Sequence, residues 1–349
     1  MKKRLPELTV ATALVAVVSI VTRDYWASKP PDAQANPAAV TNAPPVDSQL
    51  RQPTTGDQLV EQARLQLERR HSVTARIRYQ ASVDDHSLAG FGGYWQQGRG
   101  DELQLRFELR VNHEDTSLLQ VSDGRFIWTD QRLPSGRMID RLDLLKVRTA
   151  TSRTKDEFDD IATTRVDLTP PEPDLALRTG GLPTLLMVIS DCFAFTPPQS
   201  MRWTPAQPLE GLGESLPVFA VVGRWKPEVL ALFLPEGGGV NALPDRLPQE
   251  VLLLFGQADL FPYRIEFRQL LPQAAASDAP AQSAAFQLSS DPLMLLELSA
   301  VSFDSQVPAG QFQYSAGDAN WDDRTADYIE SLRRQREQRL ARRDRATQH

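Results

Sequence analysis

The feature that most constrains this chain is strict two-residue alternation over several long stretches. In LQLRFELRV, Leu103, Leu105, Phe107, Leu109 and Val111 oppose Gln104, Arg106, Glu108 and Arg110. In SVTARIRYQA, Val73, Ala75, Ile77 and Tyr79 oppose Thr74, Arg76, Arg78 and Gln80. Near the C-terminus, Phe261, Tyr263, Ile265 and Phe267 oppose Arg264, Glu266 and Arg268. A period of two puts successive side chains on opposite faces of a strand, so each stretch predicts an antiparallel sheet with one covered and one wet face. Shorter strands are expected at Leu88–Gln97, Leu118–Val121, Arg125–Asp130, Val218–Trp225, Glu250–Gly256, Met294–Phe303 and Gln311–Ser315, with Gly- and Asp-bearing turns between them.

Helices are fewer. One is expected to begin near Asp57, as N-cap, and run to about Arg70, with an apolar face of Leu59, Val60, Ala63, Leu65 and Leu67. Leu182–Ser190 is a short apolar helix candidate with Pro183 suited to its first turn. Another turn of helix is expected in 226–232, and a long charged one over Asp323–Asp344. Residues 147–179, 235–248 and 272–285 read as excursions from the sheet.

The N-terminus sets the compartment. A basic MKKR precedes the charge-free apolar run Leu8–Thr22. Fifteen residues of helix span roughly 22 Å, short of the ~30 Å hydrocarbon core. Residues 1–27 therefore read as a signal peptide or an uncleaved signal-anchor; Ala33-Gln34-Ala35 supplies a small-x-small site, but only after Arg23, Asp24 and Lys29. In either case the basic end is expected to start out cytoplasmic and the bulk of the chain to be translocated. Residues 28–56, rich in Pro, Ala, Asn and Thr, read as a tether. Between Arg324 and Arg345 lie eight arginines and no lysine, so 327–349 forms a charged helical tail. That tail is either a solvated face or a basic arm for anionic lipid or an acidic partner.

Chemistry-bearing constellations are missing from the sequence. The four histidines lack metal-ligand spacing, and Asp84-Asp85-His86 reads as a solvated turn. Neither GxSxG nor HExxH nor a Walker A loop occurs, and Gly237-Gly238-Gly239 is a lone glycine run. The one cysteine, Cys192, excludes a disulfide framework and reads as a buried thiol. A net charge of −7 and a pI of about 5.3 argue against a nucleic-acid partner. The expectation is a protein that is not an enzyme and carries no cofactor or metal.

The stretch VSDGRFIW, Val121 to Trp128, resembles a motif of the LolA-like family of periplasmic lipoprotein carriers, with relatives LolB and the RseB sensor domain. Asp123-Gly124 supplies the hairpin turn and Trp128 a large apolar face. The order of elements over about 57–326 is similar too: an N-terminal helix, the Gly-aromatic strand GFGGYW, a short apolar helix, the step Phe261-Pro262-Tyr263-Arg264-Ile265, and a terminal pattern with Phe312, Tyr314, Asp322 and Asp323. This resemblance implies a mainly β (α+β) fold, a curved, incomplete antiparallel barrel covered by helices and enclosing a hydrophobic cavity. It implies an envelope protein, periplasmic or held at the periplasmic face of the inner membrane. Such a protein binds lipid or acylated lipoprotein, with lipoprotein sorting as its specific form, and a tethered RseB-like sensor or interaction module as the alternative. The expected lining is Ile77, Tyr79, Trp95, Leu105, Phe107, Leu109, Trp128, Leu186, Ile189, Ile265 and Phe267. Arg99 lies near the position of a lid-contacting arginine. The N-terminal segment would meet the inner membrane, and the C-terminal tail an envelope protein partner.

Overall fold

The computed structural model describes residues 53–83, 86–111, 116–133, 135–152, 173–205, 215–230, 248–269 and 292–334. The expected signal segment, nearly all of the tether, the turn residues Asp84 and Asp85, the glycine run and most of the Arg-rich tail lie outside them. Among the described residues no helix is long and apolar enough to cross a membrane.

The first helix, α1 (Gly56–Arg69), starts earlier than expected. Thr55, not Asp57, is its N-cap: the Thr55 hydroxyl accepts from the Gln58 amide at 3.2 Å. Asp57 sits in the first turn and accepts instead from the Phe195 amide at 3.3 Å, which ties the helix start to the sheet. The apolar face consists of Leu59, Val60, Ala63 and Leu67, all buried.

The sheet then runs β1 (Ser72–Val83), β2 (His86–Gln97), β3 (Gln104–Val111), β4 (Ser117–Ser122), β5 (Phe126–Leu133) and β6 (Gly136–Asp143) as successive antiparallel neighbours. Helices α2 (Leu144–Ser152) and α3 (Pro173–Cys192) follow, then β7 (Phe193–Phe195), β8 (Gln199–Trp203) and β9 (Leu216–Trp225). The short α4 (Pro227–Leu230), β10 (Glu250–Gly256), β11 (Pro262–Arg268), β12 (Met294–Phe303) and the two-residue β13 (Asp322–Asp323) complete the strands. A last helix, α5, covers 325–334.

All thirteen strands form one sheet, ordered β13-β6-β5-β4-β3-β2-β1-β12-β11-β10-β9-β7, with β8 also on β9. The chain returns to put β12 beside β1, so the two halves join in the middle and, among the described residues, the ends of the sheet do not meet. The result is a large open curved sheet, an incomplete barrel with helices against it. A register shift between Thr74 and Arg76 against β12, where Ala300 has φ 46°, is a bulge of the kind that bends a strand.

Two further sequence expectations are corrected. The apolar helix is not confined to Leu182–Ser190: α3 begins at Pro173 and is broken at Gly181. Gln311–Ser315 is not a strand; Ala309–Phe312 is a 3-10 turn in a segment that crosses the sheet instead of joining it. The strands β7 and β8 and the helix α2 have too few alternating or apolar residues to be read locally, and their partners β9, β5 and β6 shape them.

Candidate functional site

The inner face of the sheet is the side carrying α1 and α3. Its apolar residues from β1, β3 and β9–β12 form one buried cluster with α1 and the second half of α3. Ile77, Tyr79, Leu105, Leu109, Leu186, Ile189, Ile265 and Phe267 all belong to it, and Phe107 packs against it partly buried. Nine of the eleven expected lining residues thus lie together on one face.

Trp95 and Trp128 do not. The register puts Trp95 opposite Thr74 and Arg106, on the outer face, while its neighbour Tyr94 points inward and is buried. Gly93 is the local cause. A Cβ there would fall 2.1 Å from the Trp95 ring, so the indole lies flat over a glycine that leaves it room. Trp128 pairs across from Val121 and Arg141, also outside, and Ile127 takes the inner position. In both dipeptides only one residue can face inward, and strand period alone does not choose which.

Trp128 is covered by the C-terminal segment. Its ring lies 5.1 Å from Tyr314 and 5.3 Å, edge-on, from Trp321. Arg141 stacks beneath Trp321 at 4.3 Å and pairs with Asp323 at 2.7 Å. Asp130 accepts from Arg137 at 2.7 and 2.9 Å and from the Tyr314 hydroxyl at 3.0 Å. Burial alone would raise the Asp130 carboxyl, but these donors hold it below its ordinary value. Arg106 donates to the Gln311 carbonyl. Residues 304–323 are therefore a strap across the outer face, a role the alternating Phe312 and Tyr314 announce without revealing.

The inner helix α3 is fastened at its C-terminal end by Lys226, whose ammonium donates to the Ser190 carbonyl at 2.8 Å and whose amide donates to the Cys192 carbonyl at 2.9 Å, and at its kink by a tyrosine of the sheet. At Gly181 the chain takes φ 57° and ψ −147°, which starts a second helical segment. The Leu182 amide at this new start donates to the Tyr94 hydroxyl at 3.0 Å, and Tyr94 donates in turn to the Gln96 side-chain carbonyl. A hydroxyl from the sheet thus satisfies one of the N–H groups that a helix start leaves without a partner. Burial pushes the Tyr94 hydroxyl well above the usual phenol range, so it stays protonated. A Cβ at Gly181 would fall 2.3 Å from the Tyr94 oxygen, so glycine is required by conformation and by contact. Sequence reading missed Tyr94, Gln96 and Gly181; the Gly180-Gly181 pair was the available signal.

Arg99 donates to the Arg69 carbonyl at the end of α1. Cys192 is buried beside Phe193 in the core. A cavity of about 270 Å³ lies at the other end of the inner face, between β5, β6 and α5. Ile127, Leu142, Thr129, Asp140 and Tyr328 line it, with Arg324 tied to Asp140 at 3.2 Å.

Neither a family model nor a curated protein matches this chain. Solved structures to which it is similar include three of low sequence identity. One is a DUF1329 family protein from Desulfovibrio piger, at 11% identity over 75% of this chain and 97% of that one, with a TM-score of 0.29. Another is described as an outer membrane lipoprotein-sorting protein domain from Vibrio parahaemolyticus, at 10% identity over 74% and 95%, with a TM-score of 0.27. The third is the MucA/MucB complex of Pseudomonas aeruginosa, at 10% identity over 74% of this chain and 61% of that one, with a TM-score of 0.32.

Proposed function

We propose that this is an exported bacterial envelope protein that takes up acyl chains of a lipid or acylated lipoprotein between the curved sheet and α3, by burial and without covalent chemistry. The observation that carries this reading is the inner face itself. It is apolar across seven adjacent strands, and the second half of α3 is tied down by polar bonds at its two ends, the Tyr94 hydroxyl at the kink and Lys226 at the C-terminus. Displacing the second half of α3 would expose Leu105, Phe107, Leu109, Ile265 and Phe267 to a chain. Each methylene taken from water contributes about 0.8 kcal/mol, so about ten would offset roughly 8 kcal/mol of lost helix packing. The N-terminal segment would deliver the protein across the inner membrane and, if retained, hold it there.

A membrane-tethered sensor or interaction module is the second reading. The observation favouring it is that the interior is filled by the chain's own helices, while the 270 Å³ cavity is partly polar and lies apart from the apolar cluster. Native mass spectrometry of the exported full chain, joined to titration with a fluorescent fatty acid, separates the two. Under the first reading acyl-chain masses co-purify. Phe107→Glu, on the inner face, weakens probe binding at least tenfold, while Arg110→Glu, on the outer face, leaves it within twofold. A bare protein mass with no probe binding would discard the acyl-chain reading.

A further inference from the structure

The outer face of β9–β12 and β1–β3 has a charge character that the whole chain does not share. By register that side carries seven arginines, no lysine and four glutamates, in a protein of net charge −7; over β10–β12 it is largely covered, with Leu252, Leu254 and Leu295 buried, and its open part lies over β1–β3. The pairs are layered. Glu108 is held by Arg106 at 3.3 Å and Arg110 at 2.6 Å; Glu297 by Arg78 at 3.2 Å and Arg264 at 3.6 Å. Glu266 is held by Arg264 at 2.8 Å and Arg268 at 2.6 Å, and Glu250 by Arg224 at 2.9 Å. In three pairs the carboxylate lies lower than its guanidinium group, 20% against 75% exposed for Glu108 and Arg110, 3% against 34% for Glu297 and Arg78, and 14% against 73% for Glu250 and Arg224, whereas Arg106, beneath the strap, is as covered as Glu108. The charges of this face that reach furthest into solvent are therefore arginines, Arg76 and Arg110 beside β2 and Arg224 on β9.

An apolar side chain stands in the middle of it. Phe91 is 45% exposed and sits directly across from Arg78 on one side and Arg110 on the other. Along its own strand the same-face neighbours are Ala89 and Gly93, so the ring projects above its surroundings. From Arg110 through Phe91, Arg78 and Glu297 to Arg264 the row crosses four strand spacings, roughly 19 Å.

We propose that this convex face docks on an anionic phospholipid bilayer, with Phe91 entering the headgroup layer and the flanking arginines pairing with lipid phosphates. Arginine forks match phosphate oxygens two at a time, and near an anionic leaflet each basic residue strengthens binding severalfold. A protein or peptide partner is the poorer fit. Peptides are read in grooves or along strand edges, and this is the middle of an outward-curving sheet. The inference does not rest on acyl chains entering the interior, which is on the opposite face.

The full chain tests it. Ala89→Cys places a thiol two residues from Phe91 on the same face, and Cys192 is buried, so an environment-sensitive dye attaches selectively. A dye at Ser200→Cys on β8, which is exposed elsewhere, serves as reference. With vesicles of phosphatidylcholine and brominated phosphatidylglycerol, the dye at 89 should shift to the blue and be quenched, and the dye at 200 should not. Raising the salt concentration should release the first. Arg76→Gln with Arg110→Gln should shift its bound-to-free ratio by about thirtyfold. Because the readout is local, attachment through the N-terminal segment does not imitate it, and the salt arm needs no variant to fold. Equal responses at 89 and 200, quenching that ignores salt, or a dye silent to vesicles would each overturn the proposal. A silent dye that responds to polyglutamate would reassign the face to an acidic protein.

Discussion

Tyr94→Phe removes one oxygen from the interior and tests whether α3 is a separable plug. That oxygen accepts from the Leu182 amide at 3.0 Å and donates to the Gln96 carbonyl, and Tyr94 and Gln96 are each 3% exposed. The ring stays, so packing is nearly unchanged. What is lost is the partner of two buried polar groups, each costing about 1–3 kcal/mol when orphaned. Relaxation recovers part of this, so a cost of about 3 kcal/mol is expected. If it falls on the opening of the second half of α3, the open population rises on the order of a hundredfold, since about 1.4 kcal/mol is a factor of ten. Hydrogen exchange read by peptide should then lose protection over 182–192 while the α1 peptide over 59–67 keeps it. Fatty-acid probe affinity should rise together with the opening. Uniform loss of protection across both helices would mean that α3 and the sheet open only as one body, and the plug reasoning would fail. Because the Tyr94 hydroxyl is held above the usual phenol range, the wild-type link should not respond to pH between neutrality and pH 10.

Gly181→Ala should cost about 2–4 kcal/mol in chemical denaturation, from a backbone region nearly exclusive to glycine and from the contact with Tyr94. Gly310→Ala, with open space around its missing Cβ, should stay within about 0.5 kcal/mol, and equal costs would refute the assignment. The strap should respond to acid. Asp323 is lowered to about 2 from 3.8, first by the Thr325 hydroxyl and then by Arg141, against the opposing effect of burial. Its folded value lies below its unfolded one, so its contribution is complete above about 3.8 and fades as pH falls through about 2. Trp321 emission, taken as the difference from Trp321→Phe, should report release in that window, and a transition centred above pH 5 would contradict it.

The sheet was legible wherever one strand face is apolar and the other charged. The alternation over 103–111, 73–80 and 261–268 marks β3, β1 and β11 with the inner residues correctly assigned. Such a pattern is local, because the side-chain direction of a strand residue follows from its position in the chain. The inner face of the candidate site was legible for the same reason. Where two large residues are adjacent, as Tyr94-Trp95 and Ile127-Trp128, the pattern breaks down. There the side was decided by Gly93, which makes room for an indole outside, and by the strap, whose Tyr314 and Trp321 cover Trp128 from far downstream in the chain.

By itself the sequence determined a mainly antiparallel sheet, its apolar face, an apolar helix against it, and a chain without recognisable catalytic motifs, because period and composition are properties of neighbouring residues. Only the tertiary structure decided that β12 closes beside β1, that Tyr94 caps a helix 88 positions away, and that the arginines of separate strands merge into one positive face. Those are meetings of residues distant in the chain. They depend on which strands become neighbours and on how a curved sheet turns its two sides, one toward its own helices and the other outward.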